Sequence, residues 1–210
     1  MSANPLIFEM IKFPKDIYEV HLMKWIEPIL NESIESYAIR LSKDIIHHKP
    51  VLIGVSFGGL IVQEISKLLD VDKLIIISSV KSNTELPLYM KSAKFLKLYN
   101  YFPLKLFDEI FNISKFLKIN KIYKKIDLVD KYLSVRDENY LKWAIREILN
   151  WKQKKPLEGV IHLHGDKDIT FPISLIKNCI TIQGGTHALI LTKHRWLNKN
   201  LTQIIESKEV

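Results

Sequence analysis

Apolar residues in this chain recur in two rhythms. Val51-Leu52-Ile53, Lys73-Leu74-Ile75-Ile76-Ile77-Ser78, Val160-Ile161-His162-Leu163-His164 and Cys179-Ile180-Thr181-Ile182 are short runs, rich in β-branched residues. Such runs predict strands covered on both faces, as in a parallel sheet. Tyr18-Glu19-Val20-His21-Leu22 alternates instead and predicts a strand with one wet face. Helical spacing fills the intervals. Ile34, Ala38, Leu41 and Ile45 share a stripe after Ser33 that His47-His48 closes; Leu60, Ile61, Ile65, Leu68 and Leu69 follow the first run; Leu141, Ala144, Ile145 and Ile148 follow Asp137; Leu197, Leu201, Ile204 and Ile205 close the chain. Strand and helix in turn predict an α/β protein with a mostly parallel sheet flanked by helices. From about Thr84 to Lys155 the strand runs stop and helical patterns gather near Pro87, Pro103, Ile113 and Asp137, so a helical cap is expected as an insertion into a single domain spanning 1–210.

Composition narrows this picture only slightly. With 210 residues and no Pro/Gly/Ser-rich linker, one sizeable core is expected. No apolar run is long enough to cross a bilayer, Met1-Ser2-Ala3-Asn4-Pro5 lacks an export pattern, and Cys179 is the only cysteine, so a cytoplasmic protein without disulfides is expected. The net charge of +8 comes almost wholly from lysine, with arginine confined to Arg40, Arg136, Arg146 and Arg195. Nucleic-acid readers favour the arginine fork, so no nucleic-acid partner is expected. Ten lysines face four acids between Lys91 and Lys131, a local net of +6 (10 − 4). Solvated helix faces account for this run, and steering of an acidic acyl substrate or peripheral contact with an anionic lipid surface is the sharper reading. The pattern is silent on oligomeric state.

Chemistry enters at Gly54-Val55-Ser56-Phe57-Gly58. A strand, a turn with one hydroxyl at its tip and a helix follow one another, and glycines two residues either side of Ser56 leave the turn unobstructed. The helix directs free N–H groups and its positive end at charge developing beside the hydroxyl. The glycine spacing does not match phosphate-binding loops. A serine nucleophile needs a base and an orienting acid, and two later loops offer them: Gly165-Asp166-Lys167-Asp168-Ile169-Thr170-Phe171-Pro172 and Gln183-Gly184-Gly185-Thr186-His187. His194, inside the last helix, and the adjacent His47 and His48 are expected to be solvated, and no metal pair is expected at the latter two.

These motifs, in the order serine, acid, histidine, resemble the α/β-hydrolase superfamily, in particular small esterase-like members with a helical cap, from about Tyr18 to the C-terminus. The resemblance implies Ser56 as nucleophile, His187 as general base, Asp168 as the acid with Asp166 a turn former, and the Phe57 backbone N–H as one oxyanion donor. It also implies strands ahead of Tyr18 and a glycine loop carrying the second donor. Met1-Ser2-Ala3-Asn4 falls in the later half of that loop, which assigns the second donor to the Met1 amine. A strand expected between Tyr18–Leu22 and Val51–Gly54 is missing, which predicts a slot of about 9 to 10 Å with unpaired backbone on both sides. The chain as given is then expected to be an N-terminally truncated version of the fold, less stable and less active than one extended upstream.

The implied activity is hydrolysis of a carboxylic ester or thioester, a small-molecule acyl substrate, through an acyl-enzyme, with no cofactor and no metal. An impaired relic or binding module that keeps the pocket, and an acyltransferase using the same triad, are the alternatives. His162-Leu163-His164-Gly165-Asp166 also resembles the H-x-H-x-D stretch of metallo-β-lactamase-like hydrolases. Lys167 stands where that family continues with histidine, and its ammonium would repel a second ion.

Overall fold

The computed structural model describes residues 3–95, 131–135 and 137–207. Four strands run in sequence order across one sheet, β1 (Val51–Val55), β2 (Lys73–Ile77), β3 (Val160–Gly165) and β4 (Ile180–Ile182), each parallel to its neighbour. Parallel neighbours need crossovers, and helices supply them. α1 (Ile34–Ser42) precedes β1, α2 (Phe57–Ser66) joins β1 to β2, α3 (Leu88–Phe95) and α4 (Glu138–Asn150) lie between β2 and β3, and α5 (Leu189–Thr192) with α6 (His194–Glu206) follows β4.

The alternation of the strands divides the core in two. Leu52 and Leu74 face a cluster with Ile34, Leu60, Ile61 and Trp143 from α1, α2 and α4. Ile75, Ile77 and Leu163 face the other way, onto Leu189, Leu197 and Leu201 of α5 and α6. Burying each such side chain stabilises the fold by about 1.5–3 kcal/mol. Capping agrees with the sequence at two helix starts: Ser33 Oγ accepts from Ser36 N–H at 3.2 Å and Asp137 Oδ1 accepts from Tyr140 N–H at 2.7 Å. α1 stops at Ser42, short of His47-His48, because its last turn tightens: Lys43 N–H reaches Arg40 O, and Ile45 N–H reaches Ser42 O. Ile45 still packs on the core from that turn, so the apolar stripe outlasts the helix. No helix of the described residues is long and apolar enough to cross a membrane. Of the lysine run, Lys91, Lys94 and Lys131 are described and exposed; the rest, like most of the expected cap, lies outside the described residues.

Tyr18–Leu22 is not a strand. No backbone hydrogen bond holds Glu19 to Lys24 among the described residues, and Val20 and Leu22 are about half exposed at 52% and 48%. Alternation permits a strand, but a strand needs an edge about 4.8 Å away, and here a cavity intervenes. This cavity, about 1260 Å³, lies between the segment Ala3–Trp25 and the free edge of β1, with Ser56 in its lining. Ser56 N–H donates to Ile77 O and Asp72 N–H to Pro50 O, so even-numbered residues of β1 direct their peptide groups at β2. By parity, Val51, Ile53 and Val55 direct theirs into the cavity, where none finds a partner among the described residues. Hydrogen exchange should record that parity: amides of Leu52, Gly54 and Ser56 slow, those of Val51, Ile53 and Val55 fast. Uniform protection along β1 would show the edge to be covered.

Candidate functional site

Ser56 joins β1 to α2 with φ 54° and ψ −120°. A non-glycine residue held there costs on the order of 1–3 kcal/mol, so the surroundings must hold it. Ser56 N–H is tied to Ile77 O at 2.9 Å, and Ser56 O accepts from Gly59 N–H at 2.9 Å and from the Ser79 hydroxyl at 2.7 Å. Gly54 is required for the reason the sequence suggests, since a Cβ there would stand 2.3 Å from Gly58 O. Gly58 is not: a Cβ would meet only Trp25, at 3.7 Å. The crowded glycine on the helix side is Gly59, whose Cβ would lie 2.3 Å from Ser79 Oγ. The elbow therefore depends on Ser79, a residue singled out by no motif, whose only mark is its place just past β2. Behind the turn Phe57 is fully buried, edge-on to Trp143 of α4 at 5.6 Å between ring centroids.

The loops after β3 and β4 bring the acid and the histidine to this turn. Ser56 Oγ lies 2.9 Å from His187 Nε2, and His187 Nδ1 lies 2.9 Å from Asp168 Oδ2. Asp168 is fixed on its other side, where Oδ1 accepts from Thr170 N–H at 2.8 Å and Phe171 N–H at 2.9 Å. Burial pushes the Asp168 carboxyl upward; the His187 hydrogen bond and charge, aided by the Phe171 N–H and His164, outweigh it and hold the group below the usual carboxylate range. A carboxylate can only accept, so Asp168 selects the tautomer with the proton on Nδ1 and leaves the Nε2 lone pair facing Ser56. Asp166, two residues earlier, makes no hydrogen bond or ion pair with His187, and its Oδ1 is buried without a hydrogen-bond partner among the described residues. The Phe57 N–H, at the first position of α2, has no protein acceptor among the described residues. Met1 lies outside the described residues. His194 is the first residue of α6 and only half-buried, its Nδ1 2.8 Å from Leu191 O. Tyr89 of α3, overlooked in the sequence, donates to Thr170 O at 2.9 Å and so ties that helix to the acid loop.

His162 and His164 share a face of β3, are fully buried and bond each other. His164 Nε2 must donate to the carbonyl of Phe171, 2.8 Å away, so its Nδ1 accepts from His162 Nε2–H at 3.1 Å. Burial lowers both rings' affinity for a proton; for His162 the charges of His164 and Lys81 add to it. Above the unfolded value of about 6.5 both states hold neutral rings. Below it the unfolded chain takes up protons that the folded one excludes, so stability falls as pH drops, by up to about 1.4 kcal/mol per pH unit per histidine, until the lowered folded values are reached. The melting temperature should therefore fall between pH 7 and 5, and His162→Gln should flatten that fall. A wild-type melting temperature constant over this interval would mean that the rings are protonated in place.

Neither a family model nor a curated protein matches the chain. Solved structures do. The chain is similar to Est816, described as an N-acyl homoserine lactone degrading enzyme, at 14% identity and TM-score 0.63 over 97% of this chain and 89% of that one. It is similar to a thermophilic esterase from Thermogutta terrifontis at 12% identity and TM-score 0.61, over 97% and 85%. An epoxide hydrolase from Bacillus megaterium aligns at 14% identity and TM-score 0.50, over 88% and 80%. Neighbours of such different chemistry share an architecture, and that much carries over: this chain has the α/β-hydrolase fold.

Proposed function

We propose that the chain is a serine hydrolase that cleaves carboxylic esters or thioesters, with Ser56, His187 and Asp168 as its catalytic triad. The observation that carries this reading is the unbroken chain of two 2.9 Å contacts from Ser56 Oγ through His187 to Asp168. His187 Nε2 takes the hydroxyl proton as Ser56 Oγ attacks the substrate carbonyl, Asp168 holds the ring and stabilises the imidazolium, and the Phe57 N–H donates to the developing oxyanion. Collapse of the tetrahedral intermediate passes the proton from His187 to the leaving alcohol or thiol. Water, deprotonated by the same ring, then releases the acid from the acyl-enzyme. Acyl transfer differs only in the nucleophile of the second half-reaction, so an alcohol or thiol acceptor in place of water is the second outcome of this chemistry.

The strained backbone of Ser56, at φ 54° and ψ −120°, supports the reading further, since that turn sets the hydroxyl beside His187. The segment from about Thr84 to Lys155 acts in this proposal as the cap, its described end supplying Trp143 and Tyr140 to the wall behind Phe57. The test is a fluorophosphonate probe. Labelling of Ser56 in the native chain, absent in Ser56→Ala, is the expected result. An unlabelled native chain would show that Ser56 is not a working nucleophile and overturn the proposal.

A further inference from the structure

Among the described residues, Glu19, His21 and His47 are the one group of three whose ligand-capable atoms all lie within 4.8 Å of one another. Glu19 Oε1 stands 2.9 Å from His21 Nε2, and Oε2 stands 4.0 Å from His47 Nε2. The two imidazoles face each other at 4.3 Å between centroids with a 40° tilt. His47, read from its sequence neighbour as solvated, thus meets a histidine on a segment remote in sequence.

An ion pair alone gives little reason for this arrangement. One imidazolium would neutralise Glu19, and a second, stacked on the first, would add repulsion. A metal ion uses both rings as neutral donors and leaves one carboxylate as the only charged ligand. For zinc, with ligands at about 2.0–2.1 Å, a tetrahedron has donor–donor edges of roughly 3.3 Å. The observed separations lie on both sides of that figure. The side chains are 76%, 52% and 43% exposed for Glu19, His21 and His47, so small torsional changes suffice to close the set.

We propose that Glu19, His21 and His47 form a binding site for a divalent transition ion of zinc's type, three protein ligands with a fourth position open to water. Two imidazoles and one carboxylate suit such an ion and are a poor set for calcium or magnesium, which take oxygen. The consequence is mechanical. Glu19–Lys24 walls the cavity beside β1 and has no backbone hydrogen bond of its own among the described residues, whereas His47 follows α1, which is packed on the core. An ion bridging the two would fasten that wall to the body of the domain. This site is separate from Ser56, and the proposal stands whether or not the triad is active.

Zinc chloride titrated calorimetrically into the full chain at neutral pH should bind one ion per chain. His21→Ala, His47→Ala and Glu19→Gln should each weaken that binding more than about tenfold. Cobalt(II) in zinc's place should show the strong visible band of a four-coordinate site, and zinc should slow amide exchange over residues 19–24 in the native chain but not in His47→Ala. Binding equally tight in all three variants would place the ion elsewhere, and no binding below about millimolar zinc would reduce the cluster to a surface ion pair; either result overturns the proposal.

Discussion

Ser56→Ala should bring hydrolysis of a short-chain aryl ester to background while leaving the melting temperature within a few degrees of native. Removing the nucleophile or base of such a triad costs about 10⁴–10⁶ in kcat, because the remaining members cannot act singly. Replacing a partly exposed hydroxyl with hydrogen removes little packing, and only one side-chain hydrogen bond, that to His187 at 2.9 Å, is lost. Asp168→Asn probes a different step. An amide can present its N–H₂ to His187 and favour the tautomer whose Nε2 carries the proton, so a loss of about 10⁴ is expected from the wrong tautomer alone. Asp166→Asn should leave kcat within a few-fold, since Asp166 makes no hydrogen bond or ion pair with His187. Residual turnover of Ser56→Ala near the native rate would remove Ser56 from the mechanism, and equal losses for both Asp variants would leave the acid unassigned.

Gly165→Ala should be among the most destabilising single-methyl additions in the chain. A Cβ there would stand 2.2 Å from Gly185 O, 2.4 Å from its carbonyl carbon and 2.9 Å from its Cα. All three are backbone atoms, so no rotamer change relieves the clash and the loops must part. Overpacking with side-chain relief costs about 1–3 kcal/mol; a backbone clash should exceed it, roughly 3–5 kcal/mol. For a domain of this size that is about 6–20 °C in melting temperature. Gly159→Ala is the internal comparison: its φ of +70° carries some strain, but nothing lies within 4 Å of the added carbon, and about 1–2 kcal/mol is expected. Similar losses for both would show that the Gly165–Gly185 contact relaxes readily.

The strands of the sheet and the meeting of Ser56, Asp168 and His187 at one end of it were legible in the sequence because each rests on a local necessity. A β-branched run between glycines has few alternatives to a buried strand, and Gly54 lies where any side chain would strike the next turn. His187 could be placed because a strand, two glycines and a helix bracket it. Tyr18–Leu22 failed because its alternation describes one strand, whereas a ladder takes two, and no local pattern reports whether the second exists. The end of α1 failed for a related reason: Ile45 belongs to the apolar stripe, but a stripe records what is buried and not which hydrogen bonds carry it there. Ser79 and Tyr89 act through single hydrogen bonds to backbone carbonyls remote in sequence, which leave no periodic trace.

The contact between Gly165 and Gly185 also joins two of the three loops that meet at Ser56. Lys167 N–H donates to Gly185 O at 2.8 Å, so the loop that carries Asp168 and the loop that carries His187 are fastened to each other as well as to their strands. Asp168 and His187 thus sit on loops that are joined to each other. Ser56 follows β1, which among the described residues is held by a single ladder, to β2, with its other edge on the cavity. Thermal twisting of the sheet should therefore vary the Ser56–His187 distance more than the His187–Asp168 distance. A misplacement of about 1 Å at a reacting pair can cost about 10²-fold in rate. Turnover should then report the stiffness of an edge strand, and whatever braces the free side of β1 would tune the chemistry from a distance, as a change in the width of one distribution with no change in its mean.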